Sequence, residues 1–323
     1  MTKRRRFVVG RTLGALITLF GAVVLLFTLL RFVPGDFVSV MLGPRATPEL
    51  RAQLTAEMGL NQSLPQQLWI FLSRAVTGDF GTDVISRQPI IDMVAEVLPH
   101  TLALALSALS VSLIVGIPLG ILAASGQGSL LDRVLGVASV AFITTPSLVV
   151  SILLLVVFSS YFKWLPVSGA GEPGDLGDQV LHLILPTLAI AIGWVGYIAR
   201  LVRASLLEIM AEPHVRTLRA YGVSERRIAG IFALRPAIVP IVAILGIGLG
   251  DMIGSAVFAE MIFARPGIGS LMNGAIGNRN YPVLQACVLV IVVIYVLANL
   301  LTDIANAALD PRIARSLNEG RQG

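Results

Sequence analysis

Six long apolar runs, each long enough to cross a bilayer as a helix, constrain this chain more than any other feature. A helix rises about 1.5 Å per residue, so about 20 apolar residues match the hydrocarbon thickness. The runs 12–30, 101–124, 134–162, 179–199, 236–263 and 280–302 all reach that length. The fifth is interrupted by Asp251 and Glu260. Hydrophobic residues make up 55% of the chain and charged residues 13%, with mean hydropathy +0.84. A soluble domain carries about a quarter charged residues. This surplus excludes a single aqueous core, and the spread of the runs excludes a soluble domain on one anchor. Barrel strands are short and alternate polar with apolar residues, which these runs do not. The expected fold is an all-α polytopic membrane protein with six transmembrane helices.

Charge sets the direction. The N-terminus through Arg11 has five basic residues and no acidic one, and 34–99 has seven acidic against four basic. The stretch 200–235 has seven arginines against three glutamates. The positive-inside rule then puts both termini and the arginine-rich segment in the cytoplasm and 34–98 outside. Arg265 and Arg279, in the outer connection 264–282, are mild exceptions. The first run follows Lys3, Arg4, Arg5 and Arg6, but it is too long for a signal peptide and no A-x-A site follows. It reads as an uncleaved first span. The chain divides into 1–33 (cytoplasmic N-terminus and first span), 34–98 (outer segment), 99–308 (a five-helix core with an inner loop over 204–235) and 309–323 (cytoplasmic tail).

Within the outer segment, 48–58 and 65–76 have helical patterns bounded by prolines and by Gly59 and Gly78. They read as surface helices, or as a simple cap over the first span. The single cysteine, Cys287, cannot form an internal disulfide, and His100, His182 and His214 are too scattered in sequence to suggest a metal site. Gly246, Gly250 and Gly254, like Gly116 and Gly120, recur every four residues, the spacing that lets helices approach closely. That face packs within one subunit, or forms a subunit interface or pathway wall. Pro118, Pro146, Pro186 and Pro240 are candidate kinks. Intramembrane carboxylates are costly and usually face a cavity or a partner. Asp251 and Glu260 are therefore candidate pathway residues, the alternatives for Asp251 being a local hydrogen bond or protonation in place.

The inner loop is the most informative segment. Pro213 suits the first turn of a short helix, Gly222 the position just past its end, and Ser224 the cap of the next, with Glu225 in its first turn. Val215, Leu218 and Tyr221 are expected on one side of the short helix. Such a loop reads as a docking element for a cytoplasmic partner, or as an amphipathic helix on lipid headgroups.

The stretch Arg216-Thr217-Leu218-Arg219-Ala220-Tyr221-Gly222-Val223-Ser224-Glu225-Arg226-Arg227 resembles the coupling loop of binding-protein-dependent ABC importer permeases of the dipeptide/oligopeptide/nickel branch. So do Ala233-Leu234-Arg235-Pro236-Ala237-Ile238-Val239-Pro240, Arg31-Phe32-Val33-Pro34-Gly35-Asp36, Gly78-Asp79-Phe80-Gly81, Trp164-Leu165-Pro166-Val167-Ser168-Gly169, Glu260-x-x-Phe263-x-x-Pro266-Gly267-Ile268-Gly269, Arg279-Asn280-Tyr281-Pro282 and Asp310-Pro311-Arg312. The resemblance covers nearly the whole chain. It departs at Leu218 (usually Ala), Tyr221 (usually Lys), Pro236 (usually Asn) and Asn280 (usually Asp). It implies the type I ABC importer transmembrane fold and an inner-membrane transport subunit that is not itself an enzyme. The coupling residues would be Arg216, Thr217, Leu218, Arg219, Ala220, Gly222 and Glu225. The implied partners are a second, different permease subunit, two cytoplasmic ATPase subunits and a periplasmic substrate-binding protein. ATP and Mg would sit on the ATPases, with no cofactor on this chain. The two lysines, Lys3 and Lys163, lie in no P-loop, in keeping with this. The implied substrates are short peptides, then glutathione-like peptides, then nickel complexes. The rival reading is an ion-coupled secondary transporter titrating Asp251 and Glu260. It predicts inverted repeats, which the halves do not display. An intramembrane protease would need a paired serine and histidine, which is also lacking.

Overall fold

A computed structural model describes residues 3–32, 47–49, 52, 61–83 and 86–309. Every regular element among them is helical, and one isolated bridge pairs Thr82 with Pro89. The exit motif at 33–36, most of the outer helix expected at 48–58 and the tail from 310 lie outside the described residues. The second outer helix, α2 (Leu64–Thr77), forms where expected. It opens with Ser63 bonded through both its amide and its hydroxyl to the Gln66 side chain. It closes on Gly78, whose φ of +72° suits glycine.

Five helices are long and apolar enough to cross a membrane. They are α1 (Lys3–Phe32), α3 (Ile90–Ser125), α6 (Leu176–Met210), α9 (Leu234–Ile262) and α11 (Tyr281–Leu309). The run 134–162 does not form a straight span. It splits into α4 (Leu130–Thr144) and α5 (Ser147–Leu154), the latter continuing as a π-helix through Tyr161, with a 102° bend between the arms. Pro146 is the cause. It disfavours helical backbone in the residue before it, and Thr145 is accordingly extended at ψ 119°. Each arm has about 15 residues and reaches only about 22 Å, too short to cross alone. The sixth crossing, if made, is a broken one.

Two helices outrun their apolar cores. α3 begins at Ile90, eleven residues before the uncharged run, because Asp92 and Glu96 are tolerable in a helix that projects beyond the hydrocarbon. α6 starts at an N-cap, Asp175, whose carboxylate accepts from the amides of Gly177 and Asp178 at 2.9 and 3.2 Å. It continues to Met210, at the start of the loop that holds the next short helix.

Glycine brings the helices together. A Cβ on Gly120 would lie 2.6 Å from Val202 Cβ, and one on Gly116 3.0 Å from Ile198 Cβ, so α3 lies directly on α6. Gly246 and Gly250 face α11, where a Cβ on Gly250 would enter the Tyr295 ring. Gly254 opens to empty space. The expected glycine face is therefore mostly internal packing. Without a hydrophobic drive inside lipid, such contact is what helix association relies on. α1 rests on α11 at the edge, with Val23 its one buried hydrophobic among the described residues. Arg203 of α6 makes a two-point ion pair with Asp132 of α4, and Asp132 also accepts from the Gly128 amide at 2.9 Å. Just before α11, the Asn280 side chain donates to Asp83. The departure at 280 is thereby explained, since an aspartate there would face another carboxylate.

Candidate functional site

The arginine-rich loop after α6 folds as a braced two-turn helix. α7 (Pro213–Ala220) has Pro213 in its first turn, where a missing N–H costs nothing. Its end is a complete Schellman closure. The Val223 amide donates to Leu218 O at 3.1 Å and the Gly222 amide to Arg219 O at 2.9 Å. Gly222 takes φ +75°, which a residue with a Cβ rarely adopts. Ser224 occupies the N-cap of α8 (Glu225–Arg227) but makes no side-chain cap bond there. A π-helix, Ile228–Ala233, then leads into α9.

Arg219 is the brace. Its Nε and Nη2 donate to the two oxygens of Glu225 at 2.6 and 3.1 Å, and Nη1 donates to Met210 O at 3.3 Å. One guanidinium thus links the end of α6, the short helix and the start of α8. These bonds hold the Glu225 carboxyl below its usual range and raise the Arg219 guanidinium. The sequence marked both residues without pairing them, because six residues across a glycine turn match no helical spacing.

The expected apolar stripe is corrected. Val215 is fully buried, Leu218 half-buried, and Tyr221 82% exposed. Steps of three drift by about 60° each around a helix, so three such residues do not share one face. Tyr221 also lies past the helix end. Val215 anchors α7 to the body, leaving Arg216, Thr217, Ala220 and Tyr221 exposed.

The two carboxylates of α9 have different posts. Glu260 is fully buried, away from open space, and bonded on both oxygens: Thr101 Oγ1 donates to Oε1 at 2.6 Å and the Gly269 amide to Oε2 at 2.7 Å. Thr101 also accepts from the Ile268 amide at 2.9 Å. α3, α9 and α10 (Ile268–Gly277) are therefore joined at one carboxylate. Cβ atoms at Gly267 and Gly269 would lie 2.1 and 2.8 Å from Glu260 atoms, which accounts for both glycines of the motif. Glu260, expected as a pathway residue, thus fastens three helices. Nearby Arg265 is also buried, and its amide donates to Glu260 O at 2.9 Å.

Asp251 is exposed and halfway along its helix. Trp194 of α6 donates its indole N–H to Asp251 Oδ2 at 2.8 Å. The Trp194 ring lies over Gly248 and meets Tyr197 edge-on at 5.4 Å. An aspartate at a helix centre costs about 2.5–3.5 kcal/mol on insertion scales, so an exposed one needs water or a partner. Neither Trp194 nor Thr101 was singled out in the sequence. Trp194 could have been, as the one tryptophan within the six runs. Thr101 had no signal.

Comparison with known proteins covers almost the whole chain. Residues 116–315 match the model of the binding-protein-dependent transport system inner membrane component, and 4–105 match its N-terminal companion. A probable peptide ABC transporter permease protein, y4tP, of Sinorhizobium fredii is 38% identical over 90% of this chain and 93% of its own length. The glutathione transport system permease protein GsiC of Escherichia coli K12 is 35% identical over 95% of this chain and 98% of its own. In fold, the chain is similar to a chain of the inward-facing MetNI methionine ABC transporter, with TM-score 0.54 and 17% identity over 68% of this chain and 96% of that one.

Proposed function

We propose that this chain, which belongs to the binding-protein-dependent transport system inner membrane component family, moves short peptides inward on energy from separate ATPase subunits. It is a multi-pass permease subunit of an ABC importer. Its relatives named for peptide and glutathione transport favour a peptide-like solute. The observation that carries the drive is the braced helix Pro213–Ala220, fixed to the body by Val215 and Arg219 with its remaining face open.

In this reading two cytoplasmic ATPases each receive one such helix, one from this chain and one from a second permease subunit that is a different chain. ATP and Mg are held by the ATPases. Their closure moves α7, and the Arg219 brace passes that movement to α6 and α8. The spans then alternate between outward and inward openings, and a periplasmic binding protein delivers the solute. The termini and the arginine-rich loop lie in the cytoplasm, as their charge favours. Arg216, Thr217, Leu218, Ala220 and Gly222 form or shape the docking face, and Glu225 holds Arg219.

Uptake of a labelled tripeptide by proteoliposomes carrying the complete importer, with ATP inside and binding protein outside, tests this. Uptake should require ATP and collapse in Gly222→Val, which cannot hold φ +75° without strain. Uptake driven by a proton gradient with this chain alone would overturn the reading.

A further inference from the structure

Asp251 offers an unused charge beside aromatic rings. Its Oδ2 accepts from Trp194, while Oδ1 has no hydrogen bond among the described residues. An ionised carboxylate has about four acceptor positions, so one indole N–H leaves it far from satisfied. Its sequence neighbours Met252 and Ile253 are buried, whereas Asp251 faces outward from the chain. Trp194 and Tyr197 lie on α6, and Tyr295 of α11 fills the space over Gly250, the preceding residue. Tyr197 and Tyr295 are 42% and 39% exposed, so the rings are not closed off in a core. A carboxylate bonded to an indole that itself meets a half-exposed tyrosine suits one chemistry above others, an ammonium group, which gains both an ion pair and attraction to ring faces. The Trp194 bond holds the carboxylate in place, and Gly248 lets the indole approach α9 closely.

From this geometry we infer that Asp251 and Trp194 receive the ammonium group of the transported solute midway through the membrane, and so favour cationic over anionic peptides. The inference rests on reading the chain as a peptide permease. Asp251 supplies the charge, and Trp194 positions it and offers its ring.

The test is ATP-driven uptake by the complete importer in proteoliposomes, using four labelled probes. Trialanine against N-acetyl-trialanine reports on the terminal ammonium, and Ala-Lys-Ala against Ala-Glu-Ala on a side-chain ammonium. The same binding protein serves every variant, so a changed ratio belongs to this chain. Asp251→Asn should lower at least one of the two ratios about tenfold, because uptake of the probe with the ammonium group falls more than that of its counterpart. Asp251→Glu should keep the preference, and Trp194→Phe should weaken it less than Asp251→Asn. An equal fall for all four probes would mean that Asp251 meets the second permease subunit, and would overturn the inference while leaving the peptide reading intact. Uptake of none of the probes by the unmodified importer would overturn the peptide reading, and the inference with it.

Discussion

Glu260 and its two glycines show how one buried charge can organise an end of the molecule. The carboxylate is bonded from α3 and α10 while seated on α9, and its cost is offset only because both oxygens are used. Thr101→Val should destabilise the chain by about 1–3 kcal/mol, because it leaves Glu260 Oε1 and the Ile268 amide unpaired. A lower thermal midpoint in detergent would register this. Gly269→Ala should cost about 1–3 kcal/mol through overpacking, whereas Gly254→Ala, facing open space, should cost far less. Equal midpoints for the two alanine variants would contradict that account. By sequence, Asp251 and Glu260 share one expected role, although their spacing already separates them. Nine residues advance a helix by two and a half turns, so the two carboxylates lie on opposite faces. Which face was open was not legible, because that depends on where α3 and α10 pack.

At the scale of the element, α7 is defined by its ends. Pro213 and Gly222 marked them in the sequence, and the structure agrees at both. The brace between Arg219 and Glu225 was not visible, because the turn that joins them obeys no fixed period. Glu225→Gln should leave the chain in the membrane but speed amide exchange over 213–222 and reduce ATP-dependent uptake. Unchanged exchange would remove the brace from the account. The pH dependence has a definite sign. The folded Glu225 carboxyl lies below its unfolded value, so its contribution is present above the ordinary glutamate range and is lost as pH falls through the lowered value. Between pH 6 and 8 the brace should therefore be constant, and amide exchange in α7, corrected for its intrinsic pH dependence, should not vary. The broken helix at Thr145–Pro146 belongs to the same scale. Proline predicted a kink, but the size of the bend reflects the extended Thr145 and what each arm packs against.

For the whole molecule, the bent pair decides orientation. If α4 and α5 together cross once, the segment after α6 returns to the side of the N-terminus. If they re-enter, that segment faces the other side. The seven arginines of 200–235 favour a single crossing. Gln127→Cys and Pro173→Cys, both at exposed positions on either side of the pair, provide the check. An impermeant thiol reagent on intact spheroplasts should label Cys at 173 and leave Cys at 127 unlabelled until the membrane is opened. Labelling of neither until the membrane is opened would make the pair re-entrant and put the loop outside. By itself the sequence determined the solvent, the number of long apolar runs, the ends of the short helix and the closeness of glycine-lined helices. Each of these depends on local composition or on a fixed helical period. Only the tertiary structure decided that one run is broken, that Glu260 fastens three helices, that Arg219 spans the loop and that Asp251 stays open beside Trp194. Those outcomes depend on residues far apart in the chain meeting in space, and no local pattern records such meetings.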